Sequence, residues 1–120
     1  MNPLTKAEEQ VMQVLWKLES GLLMEIVDKM PLPQPHKNTV ATILKTLTEK
    51  GYVKIEPMRR IHRYHPLVLK DQYSKSSLTT IAKGYFEGSF TKIVSFLMEE
   101  KKISSQDLEL LLKQIKKNKK

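Results

Sequence analysis

The chain has 120 residues, 21 Lys+Arg against 13 Asp+Glu, a formal net charge of +8 and a hydrophobic fraction of 40%. That length accommodates one core plus a small helical appendage, and the regular apolar periodicity excludes wholesale disorder. No apolar run approaches the roughly 18 residues of a membrane span, and the N-terminal MNPLTKAEEQ has no apolar signal region. The absence of cysteine excludes a disulfide framework and a thiolate metal site, so the expected location is the reducing cytoplasm.

In chain order, Thr5 and Glu8 have the T-x-x-E spacing of a capping box, which opens a first helix. Ala7, Val11, Val14, Leu15 and Leu18 are its expected buried stripe, with Trp16 as a large anchor at one edge. Ser20-Gly21 breaks that helix, a short strand or turn is expected at Leu22–Met24, and a second helix over Glu25–Met30 buries Ile26, Val27 and Met30. The run Pro31-Leu32-Pro33-Gln34-Pro35 cannot be helical and reads as a stiff turn. From Asn38 the residues Val40, Ile43, Leu44 and Leu47 fall at i, i+3, i+4 and i+7, one stripe of an amphipathic helix. Its opposite face carries Asn38, Ala41, Thr42, Lys45, Thr46 and Glu49, mostly short and uncharged, a composition suited to close approach to a polar surface. Gly51 stops the helix at C′. Two β-prone runs, YVKIEP and IHRYHPL, then flank the tip Met58-Arg59-Arg60. A helix feeding a basic-tipped hairpin predicts a winged helix-turn-helix over residues 1–69.

Charge is distributed unevenly. Residues 1–36 sum to −2, residues 37–63 to +5 and residues 64–120 to +5, with five of the last segment's lysines crowded into 113–120. The expected helix and wing therefore carry a basic patch, where phosphate neutralisation requires it. Candidate DNA contacts are Asn38, Thr39, Thr42, Lys45 and Thr46 on the helix, and Arg59, Arg60 and Arg63 on the wing. Ala41 permits close approach or touches a thymine methyl. Tyr64 reads as wing packing before base stacking. His36, His62 and His65 lack the carboxylate cluster and common face that a metal needs, so no metal and no cofactor are expected. No catalytic constellation is visible, and the adjacent pairs Glu8-Glu9 and Glu99-Glu100 diverge on a helix, so an enzyme is not expected. A protein–protein interaction module with a basic surface, or a binder of double-stranded RNA, are the alternatives.

From residue 70 to residue 120 the pattern is helical throughout. One helix is expected over Lys70–Tyr85, apolar at Tyr73, Leu78, Ile81 and Ala82, then a bend bracketed by Gly84 and Gly88. A second spans Ser89 to about Glu100, and a third starts at a Ser104 cap with Asp107 at N3, Ile103 stapling onto Leu108. The terminal KKNKK is expected to fray. Three short helices cannot bury their apolar faces alone, so Tyr85, Phe86, Phe90, Ile93, Val94, Leu97, Met98, Leu108, Leu111, Leu112 and Ile115 are expected to meet a second copy, the alternative being packing back on the N-terminal domain. The expected architecture is mainly α with a small β-hairpin wing, a winged helix-turn-helix domain followed by a three-helix dimerisation domain.

The pieces Leu4-Thr5, Ala7-Glu8, Val11-Met12, Leu15-Trp16, Thr39-Val40, Thr42, Leu44-Lys45 and Leu47 occur in an ungapped order. Lys50-Gly51, Arg60, Tyr64, Pro66-Leu67, Gly88 and Phe90 continue it. Together they resemble the penicillinase and methicillin-resistance repressor family, which includes copper-responsive repressors, and the likeness runs from Leu4 to about Ile115. The resemblance implies a homodimeric repressor on a palindromic operator, with a membrane-bound sensor protease as a partner. Many members have Arg where this chain has Thr46, a bulkier or basic residue at Ala41, and the wing glycine at Arg59, which implies a different operator. The Asn-Phe bond cut in antibiotic-responsive members aligns with Phe96-Leu97, without the Asn. The cysteine cluster of the copper responders is missing.

Overall fold

The N-terminal capping box forms as its spacing requires. Thr5 Oγ1 accepts from the Glu8 N–H at 3.2 Å, Glu8 Oε1 accepts from the Thr5 N–H at 2.8 Å, and helix α1 (Lys6–Leu18) follows. The computed structural model describes residues 2–118. Helix α1 buries Val11, Met12, Val14 and Leu15, while Ala7 is exposed and Leu18 only half-buried. The expected stripe is thus corrected: Met12 replaces Ala7 in the core because α1 packs on three elements, α2 (Leu23–Lys29), α3 (Lys37–Glu49) and β3 (Ile61–Pro66).

Strand β1 (Gly21–Leu22) follows α1 directly. A Cβ on Gly21 would lie 3.2 Å from Leu18 Cδ1 and 3.3 Å from Ile26 Cγ1, so the close approach favours glycine. Helix α2 starts two residues before the expected Glu25, because Glu25 Oε1 reaches back to accept the Leu22 N–H at 2.7 Å. Ile26, Val27 and Met30 are buried as the periodicity predicts. Helix α3 ends in a Schellman arrangement: Gly51, at φ +85°, donates to Thr48 O at 3.1 Å, and Tyr52 donates to Leu47 O at 2.9 Å. Strands β2 (Val53–Met58) and β3 form the expected hairpin, with Met58 opposite Ile61 and Ile55 opposite Tyr64. Sheet order is β1-β3-β2, all antiparallel, so the hairpin gains a third strand where Gly21 pairs with Tyr64.

Val40, Leu44 and Leu47 from α3 join the α1 and α2 residues, Tyr52, Val53 and Tyr64 in one core. Helix α4 (Lys70–Tyr85) contributes its first turns to the same packing. Tyr73 lies 5.7 Å from Trp16 and 6.0 Å from Tyr52, centroid to centroid, and its hydroxyl donates to Glu9; Trp16 Nε1 donates to Val68 O at 2.9 Å. The chain divides into two compact units, Met1–Ser76 and Ser77–Lys120. Tyr73, in the first turn of α4, packs against the core of the first unit.

Within the second unit, Phe86 meets Phe96 of α5 (Phe90–Glu99) edge to face at 5.7 Å. The chain turns between α4 and α5 at Glu87 and Gly88, both at positive φ, whereas Gly84 stays within α4. Ser89 caps α5 by accepting from the Lys92 N–H at 3.1 Å. Ser104 and Asp107 cap α6 (Ser105–Asn118) reciprocally, at 3.1 and 3.0 Å. Lys119 and Lys120 of the expected fraying tail lie outside the described residues.

Glu8 also fastens the start of α1 to the end of α3. Its Oε1 lies 2.7 Å from Lys50 Nζ, and its side chain is 7% exposed. Burial alone would raise the carboxyl pKa, but the hydrogen bonds from Lys50 and the Thr5 N–H outweigh it and hold the group below its ordinary value. A carboxyl lowered in the folded state contributes stability that is complete above its unfolded pKa and lost as pH falls through the folded one. Glu8→Gln is expected to cost ~1–3 kcal/mol at neutral pH and to flatten the acid limb of thermal stability below about pH 4. Thermal melts of both proteins across that range check it; identical acid limbs would contradict the assignment.

Candidate nucleic-acid interface

Burial of Val40, Leu44 and Leu47 dictates which side of α3 faces out. Asn38, Thr39, Thr42, Lys45 and Glu49 are exposed, and Ala41 and Thr46 are half-buried at the margins. A stripe of period 3.6 puts Asn38, Thr42, Lys45 and Glu49 along one line of the helix. The N-terminal part of this line is uncharged and short, which lets a partner approach the helix closely. His36 caps α3, its Nδ1 accepting the Asn38 N–H at 3.0 Å. Sequence reasoning missed this role, since histidine is not among the usual N-caps; the signal was its place between Pro35 and the first helical residue.

The threonine hydroxyls are turned back onto the helix. Thr42 Oγ1 donates to Asn38 O at 2.9 Å and Thr46 Oγ1 to Thr42 O at 3.2 Å. Their spacing of four was visible in sequence, but which group they would bond was not.

The tip of the β2–β3 hairpin places Arg59 and Arg60 between Met58 and Ile61, which are 40% and 51% exposed. Arg59 adopts φ +49°, in the left-handed region that non-glycine residues seldom occupy. Arg63 lies apart from this tip pair. It is half-buried opposite Glu56, and its Nη1 donates to Ser20 Oγ at 3.2 Å. Tyr64 is 8% exposed and packs in the core, and burial raises its phenol pKa. The three histidines occupy three settings: His36 caps α3, His62 is exposed on β3, and His65 Nε2 lies 2.8 Å from Glu56 Oε1. Among the described residues no cluster of three or more potential metal ligands forms, and no helix is long and apolar enough to cross a membrane.

In the second unit, apolar side chains stand uncovered. Tyr85 is 83% exposed, Phe90 52%, Met98 37%, Leu111 47%, Leu112 55% and Ile115 60%. Phe86, Ile93, Val94, Leu97 and Leu108 are half-buried, and Ala82 is the one residue of this unit buried among those described. Phe96 and Leu97 both lie inside α5, Phe96 being 47% exposed.

The family model for the penicillinase repressor matches residues 4–117. The chain belongs to the penicillinase repressor family. It is accordingly a DNA-binding transcriptional repressor and not an enzyme. Similar proteins include the methicillin resistance regulatory protein MecI of Mammaliicoccus sciuri and that of Staphylococcus aureus (strain N315), each 20% identical over 109 residues, covering 90% of this chain and 89% of the relative. A structure of Bordetella bronchiseptica BpsR, whose DNA binding is regulated by 6-hydroxynicotinic acid, matches with a TM-score of 0.52 and 15% identity, covering 84% of this chain and 75% of that one. That likeness supports the winged-helix fold. DNA is the partner of this penicillinase repressor family member.

Proposed function

We propose that this repressor acts as a cytoplasmic homodimer on a palindromic operator, reading bases in the major groove through Asn38, Thr39, Thr42, Lys45 and Thr46. Residues 1–69 form the DNA-binding domain and residues 70–120 the dimerisation domain. Arg59 and Arg60 contact the flanking backbone from the wing, and Arg63, whose Nη1 holds Ser20 Oγ, adds a contact through its remaining guanidinium donors. The observation that carries this reading is the exposed, nearly uncharged face of α3 within a segment, residues 37–63, that sums to +5 and spans α3 and the wing. The uncovered apolar faces of α5 and α6 support the dimer, because a two-fold contact between like surfaces removes them from water. A membrane-bound sensor protease enters by family likeness alone. Cleavage at Phe96-Leu97 would require α5 to unwind locally, since a peptide bond inside a helix is not extended for a protease.

Selection from a random DNA pool should enrich a palindrome, with log affinity falling linearly as log salt rises. Thr42→Ala combined with Lys45→Ala should weaken the selected operator by ~1–3 kcal/mol while leaving nonspecific binding closer to wild type. Binding of the double variant at wild-type strength would remove these residues from the interface. Failure to enrich any sequence would favour the alternative of an interaction module.

A further inference from the structure

The face of α3 assigned to DNA carries no arginine, and its back-bonded threonines have already spent their donors. A threonine hydroxyl has one proton. Thr42 gives its proton to Asn38 O and Thr46 gives its own to Thr42 O, so what remains toward a base is an acceptor oxygen and a γ-methyl. The bond to the preceding turn also selects χ1, which holds that methyl in a defined staggered position. Ala41 adds a further methyl at the margin of the face. Guanine presents two acceptors in the major groove and calls for donors, whereas thymine presents its C5-methyl, the one apolar group there.

We infer that α3 selects thymine through methyl–methyl contact from Thr42 and Thr46, their hydroxyl oxygens accepting from the amino group of adenine or cytosine. The inference rests on the reading of α3 as the major-groove helix and specifies the chemistry of that reading. Lys45, Asn38 and Thr39 supply the donors of the face, and Thr42 and Thr46 supply its apolar selectivity.

Deoxyuridine in place of thymine removes the C5-methyl while preserving pairing, phosphates and acceptors. With the full-length protein and its selected operator, substitution at a contacted thymine should weaken binding about four-fold, the worth of one buried methyl group. Thr42→Ser keeps the hydroxyl and loses the methyl, so at the thymine that Thr42 touches it should bind the thymine and deoxyuridine operators alike. Thr42→Val keeps methyl groups and should retain the discrimination. Equal affinity of the wild type for the thymine and deoxyuridine operators at every position overturns the inference. If Thr42→Ala with Lys45→Ala still weakens binding in that case, α3 remains the reading helix. If the double variant also binds like wild type, both readings fail. Full discrimination retained by Thr42→Ser at every thymine would overturn the assignment to Thr42.

Discussion

Leu111→Glu combined with Ile115→Glu is expected to convert the chain to a monomer and to weaken operator binding by roughly 100-fold or more, the scale of the avidity that linkage of two half-sites supplies. Both residues are already exposed, at 47% and 60%, so neither substitution opens a cavity within the chain. Two carboxylates per protomer would instead be desolvated at a two-fold contact, with like charges brought together, a combination that opposes association strongly. Ten residues of α5 and fourteen of α6 are too few to persist as isolated helices without packing on their apolar sides. Solution mass by light scattering, with operator affinity measured on the same samples, checks both halves of the expectation. An unchanged mass would mean that this face of α6 is not where two copies meet. A monomer with undiminished affinity would mean that one wing and one α3 suffice.

Leu44→Ala should be the most destabilising of the substitutions considered on α3. Leu44 is fully buried, between the exposed Lys45 and the i−4 partner Val40, which is fully buried too. Truncating a buried leucine removes transfer free energy and leaves a cavity, costing ~2–5 kcal/mol. For a winged-helix domain of this size that corresponds to a fall in Tm on the order of 10–20 °C. Lys45→Ala alters an exposed side chain one residue on, and should change stability by about 0.5 kcal/mol or less. The pair therefore separates the two faces of one helix: calorimetry detects the first substitution, and operator titration detects the second. Similar melting temperatures for both would mean that Leu44 does not anchor α3 to α1 and α2.

Several features of the protein were legible because their causes act within four residues along the chain. The Thr5–Glu8 box, the Ser104–Asp107 box, the Gly51 stop and the apolar stripe of α3 each depend on backbone groups whose positions a helix dictates once it forms. The exposed face of α3 follows from that stripe by elimination, since burying Val40, Leu44 and Leu47 leaves Asn38, Thr42 and Lys45 outside. The arginine tip was equally visible, lying between two β-prone runs. Function at the level of a DNA-binding repressor came from this local pattern together with the resemblance.

What escaped the sequence depends on contacts between distant segments. Strand β1 is two residues long and exists because β3 presents an edge to Gly21; no local propensity specifies it. Met12 rather than Ala7 is buried because three elements surround α1 instead of one. Tyr73 draws the first turn of α4 into the N-terminal core through Trp16, Tyr52 and Glu9. Lys50 finds Glu8 across 42 residues of chain, and Arg63 finds Ser20 across 43. Local composition determined the elements, the exposed face of α3 and the basic tip. Tertiary structure alone decided which polar groups those elements keep for themselves, because a hydrogen-bond partner far along the chain becomes a neighbour only after the core has packed.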